Sequence, residues 1–171
     1  MREPKVMRPF FPPGYVEHPT ALLTWAHVVQ RLTDAKNYWL CSVRPDGRPH
    51  VIPKWGVWVD DKLYFDGSAK TRHARNIAEN AHVSLHLESG DDVVIVEGVV
   101  ELVQHPAPEL GVKLSQGYKA KYAAIGYAPE PTQWDEDGIF AITPSMALAW
   151  TRFAEDPTKF VFEDEQTGLE L

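Results

Sequence analysis

The sequence has little of what would tie it to the commonest enzyme chemistries. Cysteine occurs once in 171 residues, as Cys41. No intrachain disulfide can close and no group of thiolates can hold zinc or an iron–sulfur centre, so an intracellular setting is expected. Basic residues are scarce too: 17 Lys and Arg against 24 Asp and Glu leave a formal net charge of −7. That balance argues against an extended nucleic-acid or anionic-membrane surface, since either needs clustered cations to displace counterions. Apolar runs are short, as at Val93 to Val96, far below the ~20 residues of a membrane span. Residues 1–20 hold five prolines and no apolar segment of the kind a secretory leader requires. A Gly-x-Ser-x-Gly elbow, a P-loop and an internal repeat are all missing, which removes the usual grounds for a hydrolase or an NTPase. A cytoplasmic protein without a metal site, acting on neither nucleic acid nor membrane, is expected.

What is present is ordinary globular composition, 44% hydrophobic and 24% charged. The length suits one domain, assigned to residues 20–171. A proline-rich arm over 1–19 precedes it; the arm cannot hold regular helix and is expected to lie extended across the domain or a partner subunit. Leu22, Ala26, Val29 and Leu32 recur at helical spacing. The period then becomes two, predicting strands over 38–44 and 49–59 joined by Pro45-Asp46-Gly47, and a third over 63–66 after an Asp60-Asp61 turn. Ala74, Ile77, Ala78 and Ala81 predict a helix over 70–81. Val83, Leu85 and Leu87 mark the next strand and residues 93–103 another. A helix opening at Pro106 carries Leu110, Leu114, Tyr118 and Tyr122 and closes near Gly126. Strands over 139–143 and 146–152 follow, with an edge strand over 160–162. Hairpins joined mainly by tight turns predict a mainly β fold, an antiparallel barrel of six or more strands with short flanking helices.

Two segments could carry chemistry. In Ser68-Ala69-Lys70-Thr71-Arg72-His73-Ala74-Arg75-Asn76, cations crowd the start of a helix, where the partial positive charge of unpaired amides repels them. A phosphate would turn that repulsion into binding, through the amides, the hydroxyls of Ser68 or Thr71, and the charges of Lys70 and Arg72. The competing reading is a solvated basic face. In His50-Val51-Ile52-Pro53-Lys54-Trp55, a proline inside a strand points to an edge or a ligand-facing position. Lys54 faces away from Pro53 and Trp55. A flat ligand beside this strand, with its phosphate at Thr71, would use both features, whereas the competing reading puts Trp55 in the core of a barrel seam. Glu97 could be a buried base, a carboxylate paired within the structure being the commoner explanation, and Cys41 reads as an inert core thiol.

The order of Arg48-Pro49-His50-Val51-Ile52-Pro53-Lys54-Trp55, Leu63-Tyr64-Phe65-Asp66-Gly67, Thr71-Arg72-His73-Ala74-Arg75-Asn76-Ile77, Val83-Ser84-Leu85 and Glu97-Gly98 resembles the pyridoxamine 5'-phosphate oxidase-like split-barrel family. The likeness spans about 38–103. It implies a six-stranded split β-barrel homodimer with FMN, or the deazaflavin coenzyme F-420, between subunits. It further implies an oxidoreductase passing hydride or electrons to a small organic substrate, or else a non-catalytic flavin or haem carrier. By position, Thr71, Arg72 and His73 fall where the family grips the cofactor phosphate, with Ser68 and Lys70 beside them. His50, Val51, Ile52, Pro53 and Lys54 fall along the isoalloxazine ring, and Phe65 and Asp66 at the ring or ribityl chain. Trp150 is a candidate to reach the ring from the partner. No residue is assigned as catalytic. Pro49 stands where the oxidase has Arg, His73 where it has Lys and Val93 where it has Gln, which argues against pyridoxamine phosphate as substrate.

Overall fold

The computed structural model describes residues 3–16 and 18–162; the end of the expected domain, 163–171, and positions 1, 2 and 17 of the arm lie outside them. Along the described chain run β1 (Lys5–Met7), α1 (Trp25–Asp34), β2 (Tyr38–Val43), β3 (Pro49–Lys54), β4 (Val57–Val59), β5 (Lys62–Phe65), α2 (Arg72–Glu79), β6 (His82–His86), β7 (Val93–Val103), α3 (Pro108–Tyr122), β8 (Ile139–Trp150) and β9 (Thr158–Val161). Their pairings are antiparallel.

Six strands form the barrel wall, in the order β3-β2-β6-β7-β8-β5. The chain itself joins the two ends of this wall, because β3 runs through Trp55 and Gly56 into β4, which pairs with β5. The wall divides at β8. One edge of β8 pairs with β7 along its length, while the other pairs first with β5, at residues 140–142, and then with β9, at residues 146–149. The expected mainly β, six-stranded split barrel is therefore present, with the short β1, β4 and β9 added to it.

Burial follows the strand period where one face is wet and loses it where both faces are covered. Leu40, Val83, Leu85, Val94, Val96 and Ala147 fill the barrel together with Trp25, Val28 and Leu32 of α1 and Ala74 and Ile77 of α2. Residues 139–142 are buried without alternation, since Phe140 and Ile142 enter the barrel while Ile139 and Ala141 meet Leu114, Tyr118 and Tyr122 of α3.

Several expectations shift. Helix α1 starts at Trp25, with Thr24 Oγ1 accepting from His27 N at 3.2 Å. Its buried stripe is Trp25, Val28 and Leu32, while Leu22 and Ala26 are exposed. Trp25, whose ring lies 4.9 Å from that of Phe162, sets this phase. The strand foreseen over 49–59 breaks at Gly56, where a Cβ would fall 2.7 Å from Tyr64 O. The two strands foreseen over 139–152 are one: Pro144 sits opposite Gly98, at a register shift in β7 that accommodates it. A Cβ on Gly98 would fall 2.4 Å from Thr143 O. The edge strand foreseen near 160 is covered by β1. Arg8 holds the arm on this side of the same chain, donating to Glu155 O, Pro157 O and Thr20 O at 2.9, 3.0 and 2.6 Å.

Candidate functional site

The turn after β5 and the first turn of α2 build one corner of the barrel. Gly67, at φ +155°, ends the strand, and Thr71 caps the helix: its Oγ1 donates to Ser68 O at 2.8 Å and accepts from Ala74 N at 3.4 Å. No acidic residue stands in that first turn. Among the described residues, Lys70, Arg72 and Arg75 have no ion-pair partner, and all three are exposed. Arg72 also approaches the β2–β3 turn. Asp46 there is held below the usual carboxylate range first by Arg48, which donates to it at 2.7 Å, and to a lesser degree by Arg44 and Arg72. Cations thus gather from two segments in a chain of net charge −7.

Behind them stand Lys54 and His73. Lys54, half-buried on β3, donates to Asp66 O at 2.7 Å and lies 5.4 Å from the centre of the Phe65 ring. Burial pushes its ammonium down, partly offset by the Asp66 carboxylate. His73 is 5% exposed, with Nε2 3.3 Å from Thr71 Oγ1. Burial, then Lys54 and then His50, lower its pKa to about 4, so the ring is neutral at pH 7. Its ring edge lies beside Thr71 and faces the half-buried Lys54.

The structure therefore brings His50, Lys54, Phe65, Asp66, Thr71, Arg72 and His73 around one corner. Ile52 shares the half-buried face of β3, while Val51 and Pro53 sit on its exposed face. Strand β3 pairs with β2 on one edge and ends the wall on the other. Phe65 is closed off, 1% exposed and stacked on Phe140 at 5.2 Å. Ser68 and Lys70 line a hollow of about 400 Å³ together with Asp66, Trp134 and Asp137. Trp150 is on β8, opposite Val93, and β2, β6 and β7 stand between it and β3; its ring packs edge-on against Phe153 at 5.5 Å. Three further residues depart from an expected placement. Trp55 is exposed rather than in the core of a seam, because the strand ends before it. Glu97 is exposed rather than buried. Cys41 is half-buried on the sheet rather than in the core, its thiol raised by burial.

Sequence reasoning passed over Tyr127 and Asn76. The Tyr127 hydroxyl bonds the Asp66 carboxylate, and burial together with that bond raises the phenol. Asn76, fully buried on α2, donates to Ser42 Oγ on β2 at 3.0 Å. A polar residue on the apolar stripe of a short helix is the signal that would have found Asn76. For Tyr127, beyond the end of α3, local spacing holds no such signal.

Six antiparallel strands closed through a β3–β4 link and divided at β8 place the chain in the class of split β-barrels. Residues 24–151 match the family model described as pyridoxamine 5'-phosphate oxidase, and the chain belongs to that family. Among curated proteins nothing matches. Solved structures do. An F420 reductase is 26% identical with a TM-score of 0.51, the match covering 80% of this chain and 98% of that one. The haem storage protein HutZ from Vibrio cholerae is 20% identical with a TM-score of 0.52, over 70% and 89% of the two chains. A haem-binding protein from Mycobacterium smegmatis is 14% identical with a TM-score of 0.62, over 83% and 60%. These last two show likeness of fold.

Proposed function

We propose that this protein is a flavin- or deazaflavin-dependent oxidoreductase that binds FMN or coenzyme F-420 and passes hydride or electrons to a small organic substrate. The observation that carries the reading is a set of cations at the N-terminal turn of α2, Lys70, Arg72 and Arg75, without ion-pair partners among the described residues. A helix N-terminus and exposed guanidinium groups suit a phosphate, each charge-assisted bond being worth about 1.5–3 kcal/mol. Gly67 fits the same purpose. A Cβ there would lie 3.2 Å from Lys54 Nζ and 3.4 Å from His73 Nε2, so its lack of a side chain keeps a cradle open between two donors. The 26% identity to an F420 reductase supports the redox reading.

In this reading Thr71 and Arg72 hold the phosphate, and Lys54 and neutral His73 close the inner wall of the cradle. His50, Val51, Ile52 and Pro53 lie along the ring on the free edge of β3, and Asp66 lies by the ribityl chain. Proline at position 53 carries no amide donor, so that point of the edge makes no demand of its own on the ligand. When bound, the cofactor would supply the redox chemistry; the chain orients it and screens it from water. The working form is a homodimer with the cofactor between subunits, Trp150 reaching it from the partner.

Parallel fluorescence titrations with FMN and F-420 test this, followed by reduction of the bound cofactor and reoxidation with candidate acceptors. Saturable binding and multiple turnovers are expected. Binding without turnover makes the protein a carrier, and haem binding with no affinity for either cofactor overturns the proposal.

A further inference from the structure

We infer that His73 is a proton-dependent clasp: the cofactor phosphate enters the cradle together with a proton that lodges on this imidazole, so the protein holds its cofactor more tightly as pH falls. This deepens the oxidoreductase reading and rests on it.

His73 follows Arg72 at the start of α2, and its Nε2 lies 3.3 Å from Thr71 Oγ1. That hydroxyl has one hydrogen, which it gives to Ser68 O at 2.8 Å, so towards His73 it can only accept. The neutral ring is therefore the Nε2–H tautomer, and the nitrogen left to take a further proton is Nδ1. Nε2 also faces Gly67. The point where a Cβ on that glycine would fall is 3.4 Å from His73 Nε2 and 3.2 Å from Lys54 Nζ, and Gly67 itself is exposed. Two nitrogen donors from separate elements thus converge on one point at the surface. One is an ammonium; the other is a ring whose charge depends on what stands beside it.

The neighbours of the ring are cationic or spoken for. From β3 come Lys54 and His50, which together with burial act against the imidazolium. Strand β2, bonded to α2 through Ser42 and Asn76, carries no charged residue. The carboxylate after β5, that of Asp66, is bonded to the Tyr127 hydroxyl, and Asp137 lines the hollow it shares with Ser68 and Lys70. Lys70, Arg72 and Arg75 add exposed positive charge around the same turn. In the free chain this corner surrounds a neutral base with cations, and an anion within reach of Nε2 reverses the balance. An opposite charge within about 4–6 Å favours the charged form of a histidine. The imidazolium then adds a charge-assisted bond beside that of Lys54. A lysine in place of His73 would carry its charge with or without the ligand, whereas a histidine makes affinity answer to pH.

Dissociation constants for FMN and for F-420 are measured on the wild type and on His73→Gln at about pH 8 and about pH 5.5. For a cofactor that binds, we expect the ratio of variant to wild-type constants to rise by about tenfold between the alkaline and the acid measurement. Ionisation of His50 and of the cofactor phosphate occurs in both proteins and cancels in that ratio. Calorimetry at about pH 6.5 in buffers of different ionisation heat counts protons, and the wild type should take up about half a proton or more per cofactor beyond what His73→Gln takes up. The wild type alone gives a further reading: the NMR shifts of the His73 ring nitrogens should pass from the neutral Nε2–H pattern to the imidazolium pattern when the cofactor is added. If His73→Gln does not fold, these shifts decide. A ratio that stays constant with pH, equal proton counts, or a ring that remains neutral with cofactor bound overturns the inference while leaving cofactor binding intact. Failure of the cofactor reading is a different result: neither FMN nor F-420 binds the wild type at any pH, and the inference falls with it.

Discussion

Asn76 donates its side-chain amide to Ser42 Oγ at 3.0 Å where both residues are closed off from water, so helix α2 is fixed to strand β2 by a polar bond inside an otherwise apolar contact. Asn76 Oδ1 has no hydrogen-bond partner among the described residues. Removing the amide strands the serine and opens a void. Asn76→Ala is expected to lower unfolding free energy by about 1–3 kcal/mol. Urea denaturation checks this, and an unchanged midpoint would show that the bond contributes nothing.

Arg72 belongs to the opposite case. Its side chain is exposed and among the described residues it has no ion-pair partner, so Arg72→Ala should leave thermal unfolding where it was. Affinity for the bound cofactor should fall by about tenfold or more, the loss of one charge-assisted phosphate contact. Titration of both proteins side by side decides it, and equal dissociation constants would remove Arg72 from the site.

Gly67→Ala places a methyl between Lys54 Nζ and His73 Nε2, 3.2 Å and 3.4 Å away, on backbone at φ +155°. Strain at such a position amounts to about 1–3 kcal/mol. Cofactor binding should fall together with stability here. A variant that loses stability but keeps full affinity would show that the cradle is not used.

His73 makes stability depend on pH. Its pKa in the fold is about 4 because it is buried beside Lys54 and His50, against about 6.5 in an unfolded chain. Between those values the unfolded chain takes up a proton that the folded one refuses, so stability falls as pH drops from about 6.5 to about 4 and the effect is absent above that window. The full loss is of order 3 kcal/mol. Denaturant midpoints measured from neutral pH down through this window should decline more steeply for the wild type than for His73→Gln; parallel declines would mean that the imidazole titrates normally.

Much of this arrangement was legible in the chain because it is local. Pro45-Asp46-Gly47 and Asp60-Asp61 mark turns whose backbones require them, Gly47 at φ 82° and the two aspartates at φ 48° and 63°, and the cations beside Thr71 stand out against an acidic composition. What stayed hidden depends on partners far along the sequence. Gly56 interrupts a strand where Tyr64 O leaves no room for a Cβ and where its amide donates to the Tyr122 hydroxyl, 66 positions on, and Pro144 is tolerated inside a strand because Gly98, far earlier in the chain, sits at a register shift opposite it. Tyr127 meets Asp66 across 61 positions. Alternation of residue types cannot register such contacts, whereas it did place β7 at residues 93–103.

The pairing of β1 with β9 joins residues 5–7 to residues 159–161. Contacts so distant along a chain close late and slowly. On the ribosome residues 5–7 must wait for their strand partner until residues 159–161 have emerged. Clipping the arm should therefore alter the final locking step of folding far more than assembly of the six-stranded wall.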